Sequence, residues 1–195
     1  MNTGRLEAFS DGVLAIIITI MVLDLRPPEN EVDLGALKSI TPVALSYVMS
    51  FVYIGIYWSN HHHMLHVTPR VEGGVLWANL HLLFWLSLVP FVTAWMGENH
   101  FASAPMAAYG FVLLMAGLAY LILQRRIIAV QGDDSLLARA VGGDLKGKLS
   151  PLCYITAIPM AFVSRWIAGA LFVFVALMWL VPDRRIERAL ADQEL

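Results

Sequence analysis

The segment that decides the fold is residues 9–25, FSDGVLAIIITIMVLDL, a strongly apolar run with Asp11 near one end and Asp24 near the other. A helix from Val13 to Leu25 would be only about 20 Å long, which is short of a hydrocarbon core of roughly 30 Å. A helix that begins near Gly4 reaches about 33 Å, and it places Asp11 inside a membrane-spanning helix. The alternative is that Asp11 belongs to an N-cap at the membrane surface.

The same segment has two faces if it is helical. Phe9, Ile16, Ile20 and Leu23 fall within a stripe about 60° wide with Thr19 at its edge, and Asp11 points about 140° away from Ile16. Asp11 and the apolar stripe therefore contact different neighbours. Periodicity alone favours lipid contact or helix packing for this stripe, because isoleucine is common in both.

The composition of the whole chain is that of a membrane protein. Of the 195 residues, 58% are hydrophobic and 14% are charged, and the mean hydropathy is +0.67; soluble domains carry about a quarter charged residues. The single cysteine excludes an internal disulfide framework. The net charge of −2 and the absence of a long basic cluster argue against a nucleic-acid partner.

Charge-free apolar runs predict an all-α membrane protein with a single domain over residues 1–195 and six spans. The predicted spans are approximately 4–25, 42–62, 75–97, 105–124, 150–164 and 166–182, with a short loop helix at about 33–40. With both termini cytoplasmic, ten basic residues lie inside and three outside, as the positive-inside rule requires.

Polar residues in the second and third spans are candidate partners for Asp11. Trp58, His61 and His62 end the second span, and Asn79 begins the third. Antiparallel spans bring these residues level with Asp11, and a buried carboxylate needs the hydrogen-bond donors that they carry. We therefore expect a polar network that also includes Arg5.

A second interpretation of this cluster is a metal site. His62 and His66 are spaced i, i+4 on one helical face, which suits an imidazole-binding ion, but no carboxylate is evident beside them. This alternative predicts a metal-coupled or proton-coupled transporter, and a third predicts a membrane scaffold without transport. No catalytic constellation or Gly-rich phosphate loop is present, so an enzyme is not predicted.

The sequence RLEAFSDGVLAIIITIMVLDL resembles the R-x-x-x-F-S-D first helix of the transmembrane protein 175 potassium channels. The resemblance extends to WSNHH in the second span and to Asn79 and Pro90-Phe91 in the third. It implies a potassium-selective channel that needs no cofactor and no metal. It also implies a homotetramer in the cell membrane, of the inner-membrane type in a prokaryote, with the bilayer, K⁺ and further copies of the chain as partners.

The resemblance also implies roles for individual residues. The first helices would line a central pore, and Ile16, five residues after the motif aspartate, would form the narrowest ring. Further pore positions map to Thr19, Ile20 and Leu23, the same stripe that helical phase gives. The motif residues Arg5, Phe9, Ser10 and Asp11 would anchor the helix against Trp58, His61, His62 and Asn79.

Overall fold

The computed structural model describes residues 3–28, 33–132, 135, 137–138 and 145–180. Within these ranges every regular element is a helix. Two short 3₁₀ helices occur, Val22–Asp24 and Leu34–Lys38. The α-helices are α1 (Thr3–Met21), α2 (Thr41–His66), α3 (Gly73–Ser87), α4 (Val89–Glu98), α5 (Ser103–Gln131), α6 (Leu145–Val163) and α7 (Arg165–Leu180).

The first helix begins well before the apolar run. Because α1 starts at Thr3, Asp11 lies in its interior, more than two turns from the start. The N-cap interpretation of Ser10 and Asp11 is therefore wrong. With its 3₁₀ extension the helix covers Thr3–Asp24, which is long and apolar enough to cross a membrane.

Four helical stretches in the described residues are long and apolar enough to cross a membrane. The third of them is interrupted. The four stretches are Thr3–Asp24, Thr41–His66, Gly73–Glu98 and Ser103–Gln131. Gly73–Glu98 consists of α3 and α4, and Pro90 lies in the first turn of α4. Proline lacks an N–H and its ring clashes with the carbonyl four residues earlier, so the ladder cannot run unbroken through Leu88.

The last two helices are shorter than these four. α6 has 19 residues and includes Lys146 and Lys148, and α7 has 16 residues, about 24 Å of helix. The break between them falls at Ser164, beside Arg165. The end of the predicted sixth span, residues 181–182, and both chain termini lie outside the described residues.

The predicted loop helix at residues 33–40 is replaced by a tighter element. The structure has a 3₁₀ helix over Leu34–Lys38, and only Ala36 of it is buried. Five residues with a single buried side chain bury too little apolar surface to stabilise a longer amphipathic helix.

The bundle has two centres of packing. α5 lies against α3, α4 and α6, while α1 packs on α2, α3 and α4. α7 closes the bundle against α6, with further contacts to α2 and α5. The backbones of α4 and α2 approach each other closely at Gly97, where a Cβ atom would lie 2.8 Å from the Cα of Val43.

Candidate functional site: the first helix and its polar contacts

One face of α1 packs against the other helices of the chain. Its buried residues follow helical spacing, and they are Leu6, Ser10, Leu14, Ile17 and Met21. Positions three and four apart share one side of a helix, so this row forms a continuous contact surface. The row fixes which side of α1 faces outward.

The outward side of α1 carries the stripe predicted from the sequence. Ile16 is 58% exposed and Leu23 is 72% exposed, and Phe9, Thr19 and Ile20 are exposed as well. Between residues 12 and 23 the helix has no charged side chain. No described residue of the chain covers these large apolar groups, so they are available to lipid or to another copy of the chain.

Thr19 is a polar group on this apolar face. Its hydroxyl donates to the carbonyl oxygens of Ala15 at 2.9 Å and Ile16 at 3.1 Å. The proton is thus engaged within the helix, and the oxygen lone pairs of Thr19 are left on the exposed side, next to Ile16. These lone pairs are acceptors that a partly dehydrated cation can use.

Asp11 contacts α2 on the flank of the stripe. The indole nitrogen Nε1 of Trp58 donates to Oδ1 of Asp11 at 3.1 Å. A hydrogen bond to a carboxylate is charge-assisted, which strengthens it relative to a neutral pair. The contact holds α1 and α2 together at this level and fixes the rotation of α1 about its axis.

Ser10 and Asn79 form a second, buried set of contacts. Asn79 Nδ2 donates to Ser10 Oγ at 2.9 Å, and the Ser10 hydroxyl donates to the Leu6 carbonyl at 2.8 Å. His61 Nε2 lies 2.7 Å from Asn79 Oδ1. Since an amide oxygen only accepts, Nε2 carries the proton, and this set joins α1, α2 and α3 through one asparagine.

Glu7 is a functional candidate that the sequence reasoning missed. Its carboxylate lies 2.7 Å from Nδ1 of His62. Glu7 and Asp11 are four residues apart on α1, as Trp58 and His62 are on antiparallel α2, so the two contacts are successive rungs between the helices. This reciprocal i, i+4 spacing was the signal available in the sequence.

The sequence predicted a single polar network around Asp11, but the structure has two separate sets of side-chain contacts. Asn79 contacts Ser10 and His61 but not Asp11, and His62 contacts Glu7. Arg5 is exposed, and no ion pair joins it to another residue within the described ranges. The division follows from helix phase, because Ser10 faces the bundle interior and Asp11 faces its flank.

The histidines at the end of α2 stack along the helix. The ring of His62 lies 6.1 Å from Trp58 and 6.0 Å from His66, both in stacked orientation. Across the described part of the chain, no group of three or more His, Cys, Asp or Glu residues is arranged to hold a metal ion. The geometry favours packing and hydrogen bonding as the role of this cluster.

Comparison with known proteins identifies relatives with the same layout. The family model described as "Endosomal/lysosomal potassium channel TMEM175" matches residues 5–90, which include every contact between α1, α2 and α3 given above. A potassium channel of Chryseobacterium sp. (strain P1-3) is 50% identical over 192 residues, 98% of this chain and the full length of that protein.

Two further relatives extend the comparison. A potassium channel of Streptomyces collinus is 33% identical over 175 residues, 84% of either chain. The crystal structure of a lysosomal potassium-selective channel TMEM175 homolog from Chamaesiphon minutus superposes with a TM-score of 0.80 at 26% identity. It covers 93% of this chain and 97% of that one. With half of its residues identical to one relative along almost its entire length, the chain belongs to the TMEM175 family, a family of ion channels in membranes.

Proposed function

We propose that this chain is a subunit of a homotetrameric channel through which K⁺ moves passively down its electrochemical gradient. The observation that carries the proposal is the row of exposed apolar side chains on α1, a helix whose other side is packed and hydrogen-bonded. Four copies of this row around a common axis would bury it. The names of the bacterial relatives support K⁺ as the ion.

The proposed arrangement in the membrane has six spans, with α3 and α4 together as the third and α6 and α7 as the last two. Both termini are cytoplasmic in this arrangement. The ten-to-three distribution of basic residues supports it, since basic loops stay on the cytoplasmic side.

Ile16 is the proposed constriction. Four isoleucine side chains that converge on an axis exclude a fully hydrated ion, and an apolar ring closes by dewetting. An ion that passes must shed part of its water shell, which costs less for K⁺ than for the smaller, more strongly hydrated Na⁺. The Thr19 oxygens, one turn further along α1, would replace part of the lost hydration.

The test is ion flux in liposomes that contain the purified channel, wild type against Ile16→Asn. We expect the variant to keep or raise K⁺ flux and to lose preference for K⁺ over Na⁺, because an amide in the ring can substitute for water around either ion. Valinomycin-independent K⁺ flux and Na⁺ flux are measured with the same vesicles.

The matched control is Ile155→Asn, which places the same substitution on α6 at a side chain that is 56% exposed. It should leave the K⁺/Na⁺ flux ratio unchanged. An unchanged ratio in Ile16→Asn would contradict the constriction, and wild-type protein that carries no K⁺ would contradict the channel itself.

A further inference from the structure

A cavity lies between α2, α5, α6 and α7, on a different side of the subunit from the exposed stripe of α1. Its volume is about 50 Å³. Five of its lining residues carry aromatic side chains, and they are Tyr53, Tyr57, Tyr120, Tyr154 and Trp179. None of these residues has a role in the proposed pore.

The walls of the cavity are held by specific contacts. Trp179 Nε1 donates to Ser150 Oγ at 2.8 Å, and the Ser150 hydroxyl donates to the Lys146 carbonyl at 2.8 Å. The rings of Tyr57 and Tyr120 meet edge to face with centroids 6.2 Å apart. The cavity is therefore preformed between fixed rings and does not depend on a mobile side chain.

Gly117 keeps one wall open. A Cβ atom at this position would lie 3.8 Å from the Tyr57 hydroxyl, an ordinary van der Waals distance. Alanine therefore fits without strain, whereas a longer side chain at residue 117 extends into the space between Tyr57 and the rest of the lining.

The size and chemistry of the cavity favour hydrocarbon as its occupant. The volume is several times the roughly 10 to 15 Å³ that a single water molecule needs, and mainly apolar cavities stay dry. The cavity belongs to helices that sit in a bilayer, so the nearest source of hydrocarbon is a lipid acyl chain.

Basic residues lie close to the lining residues of the cavity. Lys146 Nζ lies 5.8 Å above the Trp179 ring, and Lys148 is exposed. On α5, exposed Arg125 and Arg126 follow one turn after the lining residue Leu121. Residues 125–148 hold five basic and three acidic side chains, and basic pockets between helices at this level suit anionic headgroups.

We propose that this cavity binds part of an acyl chain of an anionic phospholipid, whose phosphate sits beside Lys146 and Lys148 in the leaflet where α5 ends and α6 begins. Tryptophan and lysine at the mouth match the interfacial level of the bilayer. The lipid would join α6 and α7 to the body of the subunit.

The first experiment titrates the detergent-purified channel with phosphatidylglycerol or phosphatidylcholine of identical acyl chains and counts bound lipids by native mass spectrometry. We expect Gly117→Leu to weaken phosphatidylglycerol binding about tenfold, because the leucine fills the cavity. Gly55→Leu is the control, since Gly55 also lies in a helix with open space around it but does not line the cavity. Gly117→Ala, which fits the fold, should give a smaller loss in the same direction.

The second experiment tests the headgroup. Wild type should prefer phosphatidylglycerol over phosphatidylcholine, and the pair Lys146→Gln and Lys148→Gln should lower that preference about tenfold. The pair Arg26→Gln and Lys38→Gln, which changes exposed basic residues outside the cavity, should not.

Either of two results would overturn the proposal. Equal phosphatidylglycerol binding by wild type, Gly117→Ala and Gly117→Leu would exclude the cavity as the site. Equal affinity of wild type for the two lipids would exclude the anionic headgroup. Both measurements count bound lipid and not ion flux, so their outcome is independent of whether Ile16 forms the constriction.

Discussion

Asn79 links three helices through one amide group. Its Nδ2 donates to Ser10 Oγ, and its Oδ1 accepts from His61 Nε2, with all three side chains buried. The other ring nitrogen of His61, Nδ1, is buried and has no hydrogen-bond partner among the described residues. Loss of the amide would therefore leave both ring nitrogens of His61 unpaired, and a buried unpaired polar group costs more than the lost bond itself.

At this scale we predict that Asn79→Ala lowers the stability of the purified channel by about 1 to 3 kcal/mol. Its melting temperature in detergent should fall measurably. Asn99→Ala is the control, because Asn99 is exposed just after α4 and its side-chain amide donates to the Trp95 carbonyl four residues earlier, not to another helix. If the two variants have the same melting temperature, the contacts among Ser10, Asn79 and His61 do not stabilise the fold.

The sequence identified most residues of this site but not their pairing. Trp58, His61 and Asn79 were expected near Asp11 because antiparallel spans bring them to one level. Which donor reaches which acceptor depends on the rotation of each helix about its own axis, and side-chain packing across three helices sets that rotation. For the same reason the contact between Glu7 and His62 was missed.

At the scale of elements, Gly97 sets the distance between α4 and α2. The position allows α4 to approach the start of α2 until a Cβ would lie 2.8 Å from the Cα of Val43 and 3.4 Å from the carbonyl oxygen of Pro42. Main-chain atoms cannot move aside as a flexible side chain can. A methyl group here must separate the two helices.

We predict that Gly97→Ala destabilises the channel by about 1 to 3 kcal/mol in spite of the higher helix propensity of alanine. The comparison variant is Gly55→Ala in α2, where nothing lies within 4 Å of the added Cβ. That substitution should leave the melting temperature unchanged or raise it. Equal melting temperatures for the two variants would show that α4 and α2 can separate at little cost.

Apolar run length predicted where helices form, but it did not predict how they are interrupted. A count of charge-free residues treats 75–97 as one span, yet Pro90 removes a donor there and divides the stretch into α3 and α4. For residues 33–40 the sequence pattern predicted more regular helix than the structure contains. Their amphipathic pattern suggested a helix, but with one buried side chain the segment forms only a 3₁₀ helix.

At the scale of the whole molecule, the exposed face of α1 must be covered in the assembled channel that we propose. Cross-linking tests this directly, because the chain has one cysteine, Cys153, and it is buried. In a Cys153→Ala background, Leu23→Cys should form disulfide-linked dimers under mild oxidation in membranes, since the α1 helices of a tetramer converge.

The matched control for the cross-linking is Phe174→Cys, an exposed position on α7, which packs against α6, α5 and α2. We expect little cross-linking from this position. Cross-linking from Phe174→Cys but not from Leu23→Cys would place the contact between subunits at α7 and would contradict a pore lined by α1.

The assembly could not be derived from residues alone. Periodicity shows that α1 has an outward apolar face, but lipid tails and the same face of another copy are equally apolar, so composition does not distinguish them. The resemblance in R-x-x-x-F-S-D implied the tetramer, which stays a prediction until cross-linking tests it.

Among the described residues, the polar contacts that α1 makes with other helices lie in its N-terminal half, up to Asp11. The contacts of Glu7, Ser10 and Asp11 are directional hydrogen bonds, while beyond Asp11 the described contacts that hold the helix are those of apolar side chains such as Ile17 and Met21. A tilt of α1 about this end would move Leu23, about 18 Å from Asp11, more than twice as far as Ile16, about 7.5 Å away. The outer mouth of such a channel would therefore change its diameter more than the isoleucine ring, and a small change in helix angle would act mainly on ion entry.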